Sequence, residues 1–331
     1  MSERYALVLA GGSGSRLWPL QHKPLLALIG EKSLFEQTIE RLNGVVAREN
    51  ILVVTDEELV PHLHELAPDL RYVCEPSPRD TAAAVGLGLL EIARRDPDAL
   101  VAVLSSDHFI ADAYKLRAAL RTGYDWAERG AIALLGALPT FPATGYGYIV
   151  HGESVTMGEN VDCVEAFIEK PSATTARQLL EAGRCSWDAG IFVASAQVLL
   201  DEYARQQPQM LACLRDVDAS RWQQITPISL DYAIMEGARN RVVIRLDTAW
   251  SDVGNWGALV DVLPKDGDGN TLSPNVIAIH TRGVFVCSDK PTAVIGLEDI
   301  IVVETAEGLL ICHRDQAQAV RQIAKLLVKT D

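Results

Sequence analysis

Metal-binding and disulfide patterns are absent from this sequence of 331 residues. Its six cysteines lie at least 22 residues apart, so it has neither a CxxC pair nor zinc-ligand spacing. Five of them lie in or beside apolar runs, which is typical of reduced thiols buried in a cytoplasmic protein. We therefore expect a fold that depends on neither disulfides nor structural zinc.

Long apolar runs and an excess of positive charge are also absent. The longest apolar runs, such as residues 82–90, fall far short of the roughly 18 residues that span a bilayer. The N-terminus does not resemble a signal peptide, because its charges are mixed and its apolar run leads straight into glycines. With 44 acidic and 30 basic residues, the net charge of −14 disfavours general binding to nucleic acid or membranes. We expect a cytoplasmic protein that concentrates positive charge locally if its substrate is anionic.

What is present over the first two-thirds is a regular alternation of strand and helix patterns. A buried-strand pattern at residues 5–10 stops at two glycines, and helical patterns follow at 33–46 and 81–94. This rhythm predicts an α/β fold with a Rossmann-like mixed, mainly parallel sheet and helices on both faces. Ligands of such sheets bind outside the carboxyl ends of the strands.

The last fifth of the chain has a different pattern. A turn-rich stretch at 264–275 precedes several short apolar runs and a final helical pattern at 316–328. We therefore predict two domains, 1–263 and 264–331, of which the second is small and β-rich and ends in a helix.

A glycine loop follows the first predicted strand. Three glycines without Cβ atoms let backbone N–H groups approach a ligand, and Arg16 and Lys23 add positive charge suited to a phosphate chain. The loop is neither a dinucleotide fingerprint, since Leu17 stands where the third glycine belongs, nor a P-loop. A glycine-rich turn with a structural arginine and a solubilising lysine is the alternative. The loop comprises Ala10, Gly11, Gly12, Ser13 and Gly14.

Two aspartates are candidate ligands for a metal ion. Asp107 follows an apolar strand and Asp252 lies in a tryptophan-flanked turn. Mg²⁺ is commonly held by one or two carboxylates together with substrate phosphates. Turn or helix-cap roles are the alternative, and spacing alone does not bring the two aspartates together.

Together with the glycine loop, seven further segments resemble those of the sugar-1-phosphate nucleotidyltransferases. They occur in the order found in one branch of that family, the mannose-1-phosphate guanylyltransferases. They are EPSPRDTA at 75–82, SSDH at 105–108, TGYGY at 144–148, FIEKP at 167–171, WDAGIF at 187–192, SLDYAIME at 229–236 and WSDVGNW at 250–256.

The resemblance implies a reaction in which GTP and mannose 1-phosphate give GDP-mannose and diphosphate. The sugar-phosphate oxygen attacks the α-phosphorus in line, and Mg²⁺ is required. By analogy, the loop amides and Arg16 hold the triphosphate, while Lys23 neutralises charge at the α-phosphate. The resemblance also implies a short left-handed β-helix-like tail and a homodimer, with no nucleic-acid or membrane partner.

Further site residues are implied by the same resemblance. Glu169 would accept hydrogen bonds from sugar hydroxyls, and Lys170 would pair with the sugar phosphate. The implied nucleotide contacts are Ala10, Gly11, Gly12, Ser13, Gly14, Arg79, Asp80, Thr81 and Asp107. The implied sugar-phosphate contacts are Gly147, Glu169, Lys170, Asp188 and Asp252, and the implied metal ligands are Asp107 and Asp252.

Three departures from the family pattern leave alternatives open. The loop before Lys23 is about three residues shorter than usual, so its alignment is a choice. Asp188 stands where asparagine is usual, which favours a different hexose or heptose 1-phosphate as an alternative substrate. Asp80 also replaces asparagine and could read guanine, cap the helix that follows, or do both.

A non-catalytic paralogue that senses GDP-sugars is the alternative from another functional class.

Overall fold

The computed structural model describes residues 2–12, 14–155, 160–216 and 218–327. The chain divides into two compact units, each with a hydrophobic core of its own. The first unit comprises Met1–Gly11, Phe35–Ser106 and Ile110–Trp250. The second comprises Gly12–Leu34, Asp107–Phe109 and Ser251–Asp331. The predicted domain boundary between residues 263 and 264 stays a prediction.

Strands and helices alternate along most of the chain. The strands are β1 (Arg4–Leu9), β2 (Ile51–Asp56), β3 (Arg71–Glu75), β4 (Leu100–Ser105), β5 (Phe109–Ile110), β6 (Ile132–Ala137), β7 (Tyr148–Ser154), β8 (Val161–Ile168), β9 (Cys185–Ser195), β10 (Arg241–Leu246), β11 (Trp250–Ser251), β12 (Thr271–Leu272), β13 (Val276–Ile279), β14 (Phe285–Cys287), β15 (Thr292–Ile295), β16 (Ile300–Thr305) and β17 (Gly308–His313). The α-helices are α1 (Leu34–Arg41), α2 (Val60–Leu66), α3 (Asp80–Arg95), α4 (Ala113–Ala127), α5 (Ala173–Ala182), α6 (Ala196–Gln206), α7 (Pro208–Arg215), α8 (Ala219–Gln224), α9 (Trp256–Val262) and α10 (Val320–Leu327).

A nine-stranded mixed sheet forms the centre of the first unit. Its strand order is β3-β2-β1-β4-β9-β6-β10-β8-β7, and β7 also pairs with β9. The strands β3, β2, β1 and β4 are all parallel, whereas β9 runs antiparallel to both β4 and β6. Because the parallel strands end at one edge of the sheet, the segments after β1, β3 and β4 are the places where ligands are expected.

Helices cover both faces of this sheet. The pairing of β1, β4 and β9 aligns Leu7, Val103 and Phe192, so Val193 points to the opposite face. In α3, Gly88 approaches Leu7 so closely that a Cβ atom there would clash with the leucine side chain, and in α4, Gly123 approaches Val193 in the same way. The predicted α/β class with helices on both faces is therefore confirmed.

The tail in the second unit winds as a short β-helix. Strands β12, β14 and β16 stack in parallel in one sheet, while β13 and β15 stack in parallel in another. The chain alternates between the two sheets, which is how successive coils of a β-helix are built. The last strand, β17, turns back antiparallel to β16 and leads through a 3₁₀ segment (Arg314–Ala319) into α10. The predicted β-rich tail with a terminal helix is confirmed.

Element boundaries differ from the sequence prediction at identifiable residues. The predicted helix at 33–46 ends at Arg41 in α1, and Gly44 follows with a φ of 76° that no right-handed helix contains. The apolar run at 190–194 forms the second half of the longer β9. Among the helices of the described residues, none combines the length and apolar character that crossing a membrane requires.

Candidate active site

The start of the glycine loop is fixed by bonds within the first unit. The buried Ala10 donates its N–H to the carbonyl of Val54 at 2.8 Å, and Thr55 Oγ1 donates to the Ala10 carbonyl at 2.6 Å. A Cβ atom on Gly11 would lie 3.7 Å from Glu75 Oε2. The end of β1 therefore presents glycine backbone beside a carboxylate.

The rest of the loop belongs to the second unit. Gly12 and Gly14 have φ angles of 104° and 59°, which favour glycine over any other residue. The Leu17 N–H donates to the Gly14 carbonyl at 2.8 Å and closes a 3₁₀ turn, in which Arg16 is exposed. Arg16 has no ion-pair partner among the described residues, so it is available to an anion. The predicted contact at Ser13 lies outside the described residues.

A buried lysine and two aspartates meet in the second unit. Lys23 is 8% exposed, and its Nζ lies 2.8 Å from Asp107 Oδ2. The same ammonium group donates to the Asp252 carbonyl oxygen at 2.5 Å. The Asp252 carboxylate in turn accepts from the Gly254 N–H at 2.9 Å. Three residues predicted from separate motifs therefore lie around one positive charge, although their role at the site stays a prediction.

The charge on Asp107 depends on its neighbours. Burial alone would raise the pKa of Asp107, but the Lys23 ammonium and then His108, whose Nε2 lies 3.9 Å from Oδ1, hold it below its usual range. Asp107 is therefore ionised at neutral pH. No group of three or more histidine, cysteine, aspartate or glutamate residues that could hold a metal ion occurs in the described part of the chain. Two carboxylates with hard oxygen donors nevertheless fit Mg²⁺, because phosphates and water complete its shell.

The predicted sugar-phosphate residues converge in the first unit. The Asp188 N–H donates to the Gly147 carbonyl at 2.8 Å, and a Cβ atom on Gly147 would lie 2.7 Å from Glu169 Oε2. Lys170 Nζ contacts Glu169 Oε1 at 2.6 Å and lies 5.7 Å from the centre of the Tyr232 ring. Burial raises the pKa of Glu169 despite this ammonium group. Gly147 therefore keeps a carboxyl-lined space open.

Asp188 has a partner that the sequence prediction left out of the site. Asp188 is buried, and its side chain is hydrogen-bonded to that of Asp231, which lies in a single π-helical turn (Asp231–Met235). Asp188 Oδ1 also accepts from the Gly190 N–H at 3.0 Å. Two carboxyl groups that bond to each other need a proton, so this pair differs in kind from an ion pair.

The predicted nucleotide contacts after β3 lie at the start of α3. Asp80 Oδ1 accepts from the Thr81 N–H at 2.7 Å, but Asp80 is the first residue of α3, and the N-cap residue is Arg79, without a side-chain cap bond, so the expected capping role is wrong. Thr81 Oγ1 accepts from the Leu230 N–H at 2.8 Å, and Arg79 Nη2 donates to the Gln223 carbonyl at 3.4 Å. The Asp80 carboxylate is exposed and remains accessible to a base. Whether these three residues bind a nucleotide stays a prediction.

Glu75 is a second residue that the sequence prediction left without a role. It ends β3, and its Oε1 is buried without a hydrogen-bond partner among the described residues. Burial, together with the carboxylates of Asp56 and Asp80, raises the pKa of Glu75 to about 7. Its position at the carboxyl end of a parallel strand, beside Gly11, is the signal that would have identified it.

Comparisons with known proteins now decide the family. The nucleotidyl transferase family model matches residues 5–269, and the model of the mannose-phosphate isomerase/GMP-like β-helix domain matches residues 274–327. This chain belongs to the nucleotidyl transferase family. The predicted family and the predicted β-helix-like tail are both confirmed.

The relatives narrow the position within that family. The xanthan biosynthesis protein XanB of Xanthomonas campestris is 36% identical over 98% of this chain and 73% of its own length. A mannose-1-phosphate guanylyltransferase of Escherichia coli is 34% identical over 97% of this chain and 73% of its own length. Among solved structures, a Thermus thermophilus protein named mannose-1-phosphate geranyltransferase has a TM-score of 0.91 and 34% identity. The alignment covers 98% of this chain and 99% of that protein.

Proposed function

We propose that this protein transfers the guanylyl group of GTP to mannose 1-phosphate and releases diphosphate. The observation that supports it most directly is the Lys23 ammonium group, which lies at 2.8 Å from Asp107 and 2.5 Å from the Asp252 carbonyl. A buried cation beside two aspartates, next to a glycine loop, suits a reaction that gathers phosphate oxygens. Relatives bearing the name of this activity add to the support.

The reaction requires little covalent chemistry from the protein. An oxygen of the sugar phosphate forms a bond to the α-phosphorus while the bond to the β-phosphate oxygen breaks and diphosphate leaves with the electron pair. The loop amides and Arg16 would hold the triphosphate, and Lys23 would balance charge at the α-phosphate. No residue needs to act as a general base, because a phosphate monoester dianion attacks without losing a proton.

A divalent cation is the usual requirement of this family, and we propose Mg²⁺. Asp107 and Asp252 would hold it, since Asp107 contacts Lys23 through its carboxylate, and Asp252, whose backbone carbonyl contacts the same lysine, supplies a second carboxylate. When bound, it would neutralise phosphate oxygens and orient the phosphates for displacement.

Glu75 is our candidate for reading the guanine base. In its ionised form the carboxylate could accept two hydrogen bonds, from the N1–H and the 2-amino group of guanine. The buried Oε1 without a partner among the described residues, and the adjacent Gly11, leave room for such an edge. Asp80 remains the alternative acceptor.

The decisive experiment measures diphosphate release by the purified chain with GTP, mannose 1-phosphate and Mg²⁺. Release of diphosphate with formation of GDP-mannose is expected, and ATP, CTP and UTP in place of GTP should support much slower turnover. The Lys23→Ala variant, purified in parallel, controls for contaminating activity. No release with any nucleotide and any hexose 1-phosphate contradicts the enzyme proposal.

Another sugar 1-phosphate is the second candidate substrate. Asp188, in place of the usual asparagine, is the observation that favours it, since a carboxyl group changes the hydrogen bonds offered to the sugar phosphate. A panel of hexose and heptose 1-phosphates, ranked by kcat/KM, separates the two. Binding of GDP-mannose without turnover would instead favour the non-catalytic sensing paralogue.

We further propose a homodimer in the cytoplasm. Strands of the tail present exposed apolar side chains, among them Ile277 at 67% and Ile295 at 64% exposure. Apolar surface of this kind is usual at subunit contacts. Light scattering after gel filtration should give twice the chain mass of 36.0 kDa, and a single-chain mass contradicts the dimer.

A further inference from the structure

Three carboxyl groups and one ammonium group line the predicted sugar-phosphate space of the first unit. Glu169 is paired with Lys170 at 2.6 Å. Asp188 is buried and hydrogen-bonded to Asp231, which is half-buried. The single cation is therefore already engaged with one carboxylate, and the other two carboxyl groups face each other.

The hydrogen bonds of Asp188 determine which of its oxygens holds a proton. Oδ1 accepts from the Gly190 N–H at 3.0 Å, so it must present a lone pair. The other oxygen is left to donate to the carboxylate of Asp231. An asparagine at position 188 would make the same two bonds, with its carbonyl toward Gly190 and its amide toward Asp231.

We propose that Asp188 and Asp231 share one proton, that Asp231 keeps this proton on Asp188, and that its loss sets the upper pH limit for binding the sugar 1-phosphate. The pH limit for binding the sugar 1-phosphate rests on the function proposed above, whereas the sharing of the proton does not. Asp231 acts here as a positioning residue, since it works through Asp188.

Charge balance in the space supports this assignment. Fully ionised, the three carboxylates and one ammonium group sum to two negative charges, opposite a substrate phosphate that carries two more above its pKa of about 6. Like charges around the buried Asp188 side chain repel strongly, because burial reduces their screening by water. One shared proton removes one of these charges without removing a hydrogen bond.

The groups that face the pair act differently on its two members. Burial is the largest cause that raises the pKa of Asp188 well above its usual range, and Asp231 and then Glu169 raise it further. Burial also raises the pKa of Asp231. The Asp80 carboxylate raises this pKa further, whereas the Lys170 ammonium group lowers it. Contact with Glu169 outweighs burial and raises the pKa of Lys170, so its ammonium group is not the one that titrates near neutrality.

Substitutions to asparagine separate the roles of the two residues. Asp188→Asn keeps both hydrogen bonds and fixes the pair in its uncharged-Asp188 form at every pH, so this variant supplies a KM for the sugar 1-phosphate that does not vary with pH. Raising the pH above neutrality should increase the wild-type KM about tenfold once the proton is lost, while that of Asp188→Asn stays flat. Asp201 on α6 is exposed, so Asp201→Asn is the matched control. Its KM should change with pH as that of wild type does.

Asp231→Asn should weaken binding of the sugar 1-phosphate at neutral pH. Its amide would donate to an ionised Asp188 and move the negative charge toward the substrate side, which should raise KM about tenfold at about pH 7. Adding Asp188→Asn to this variant should restore KM to the wild-type value or below. A loss of packing would not be rescued by a second substitution, so rescue distinguishes positioning from structural damage.

Infrared difference spectra test the shared proton without turnover. The wild-type spectrum minus that of Asp188→Asn, at about pH 7, should contain the carbonyl stretch of a protonated carboxyl group, which fades as the pH is raised. A difference spectrum without this band overturns the shared proton. A band together with parallel KM profiles for wild type and Asp188→Asn overturns the pH limit. A band in a protein that turns over no sugar phosphate contradicts the proposed function alone.

Discussion

Two pairs of aspartates, one in each unit, differ in the groups that they contact. Asp107 and Asp252 share the Lys23 ammonium group, which holds the pKa of the half-buried Asp107 below its usual range. Asp188 and Asp231 face each other, and the pKa of Asp188 is raised well above its usual range. Burial opposes ionisation in both places. The contacting cation, rather than depth in the fold, therefore decides whether a buried carboxyl group is charged.

Removal of the Lys23 ammonium group should have the largest effect on activity. Lys23→Ala leaves Asp107 without its ammonium partner, so the pKa of Asp107 should rise and kcat should fall by at least about 10³-fold. Steady-state kinetics, with circular dichroism to check folding, measure the effect. The exposed pair of Lys115 and Asp247, at 2.7 Å, supplies the control Lys115→Ala, which should keep full activity. A variant of Lys23 that only raises KM would show that its alignment is wrong.

Removing one charge from the first pair should have the next largest effect. In Asp252→Asn, the side-chain carbonyl oxygen can still accept from the Gly254 N–H, and the backbone carbonyl oxygen can still accept from Lys23. We expect Asp252→Asn to fold normally and to lower kcat by at least about 10²-fold. Titration of Mg²⁺ should show a higher requirement than in wild type. Near-wild-type turnover would remove Asp252 from the metal site.

Glu75 extends the comparison to a carboxyl group with a raised pKa that must work ionised. If it accepts from guanine, the wild-type KM for GTP should fall as the pH rises through about 7. Glu75→Gln should raise KM for GTP about tenfold above this pH and abolish its pH dependence. Because the folded chain holds this proton more tightly than the unfolded chain, the free energy of unfolding should decrease between pH 4.5 and about 7, and the glutamine variant should lose this slope. Parallel profiles for both proteins would exclude Glu75.

Steric change beside the second pair should have the smallest effect. A Cβ atom on Gly147 would lie 2.7 Å from Glu169 Oε2 and 3.3 Å from the Asp188 Cβ. We expect Gly147→Ala to raise KM for the sugar 1-phosphate about fivefold, with KM for GTP unchanged, since modest overpacking costs about 1 kcal/mol. Gly145→Ala is the control, because no atom lies within 4 Å of a Cβ there. Equal KM values for both variants would place the sugar elsewhere.

Local sequence patterns predicted the parts of the fold that local forces determine. The parallel order of β1 to β4 and the helices that cover it follow from apolar runs and helical periodicity. The antiparallel β9 in the middle of the sheet was not predicted, because strand direction depends on long-range pairing that no local pattern encodes.

The site was predictable to the same extent. Glycines, cations and aspartates at the ends of strands indicated a phosphate site, and Lys23, Asp107 and Asp252 do meet. The contact of Asp188 with Asp231 joins residues 43 positions apart in the sequence, and neither spacing nor charge pattern indicates it. A shared proton depends on burial and on distance between side chains, which only the folded chain provides.

The core of the second unit gives the tail a role in shaping the glycine loop. Leu17, from the 3₁₀ turn after Gly14, packs in one cluster with Phe285, Ile301 and Leu310 of the β-helix. Trp256 belongs to the same cluster and donates its indole N–H to the Trp18 carbonyl at 3.0 Å. Melting of the tail would strip the loop of its apolar support, so loop order and tail stability are thermodynamically linked. A chain cut before the β-helix would lose the anchor of the turn that carries Arg16.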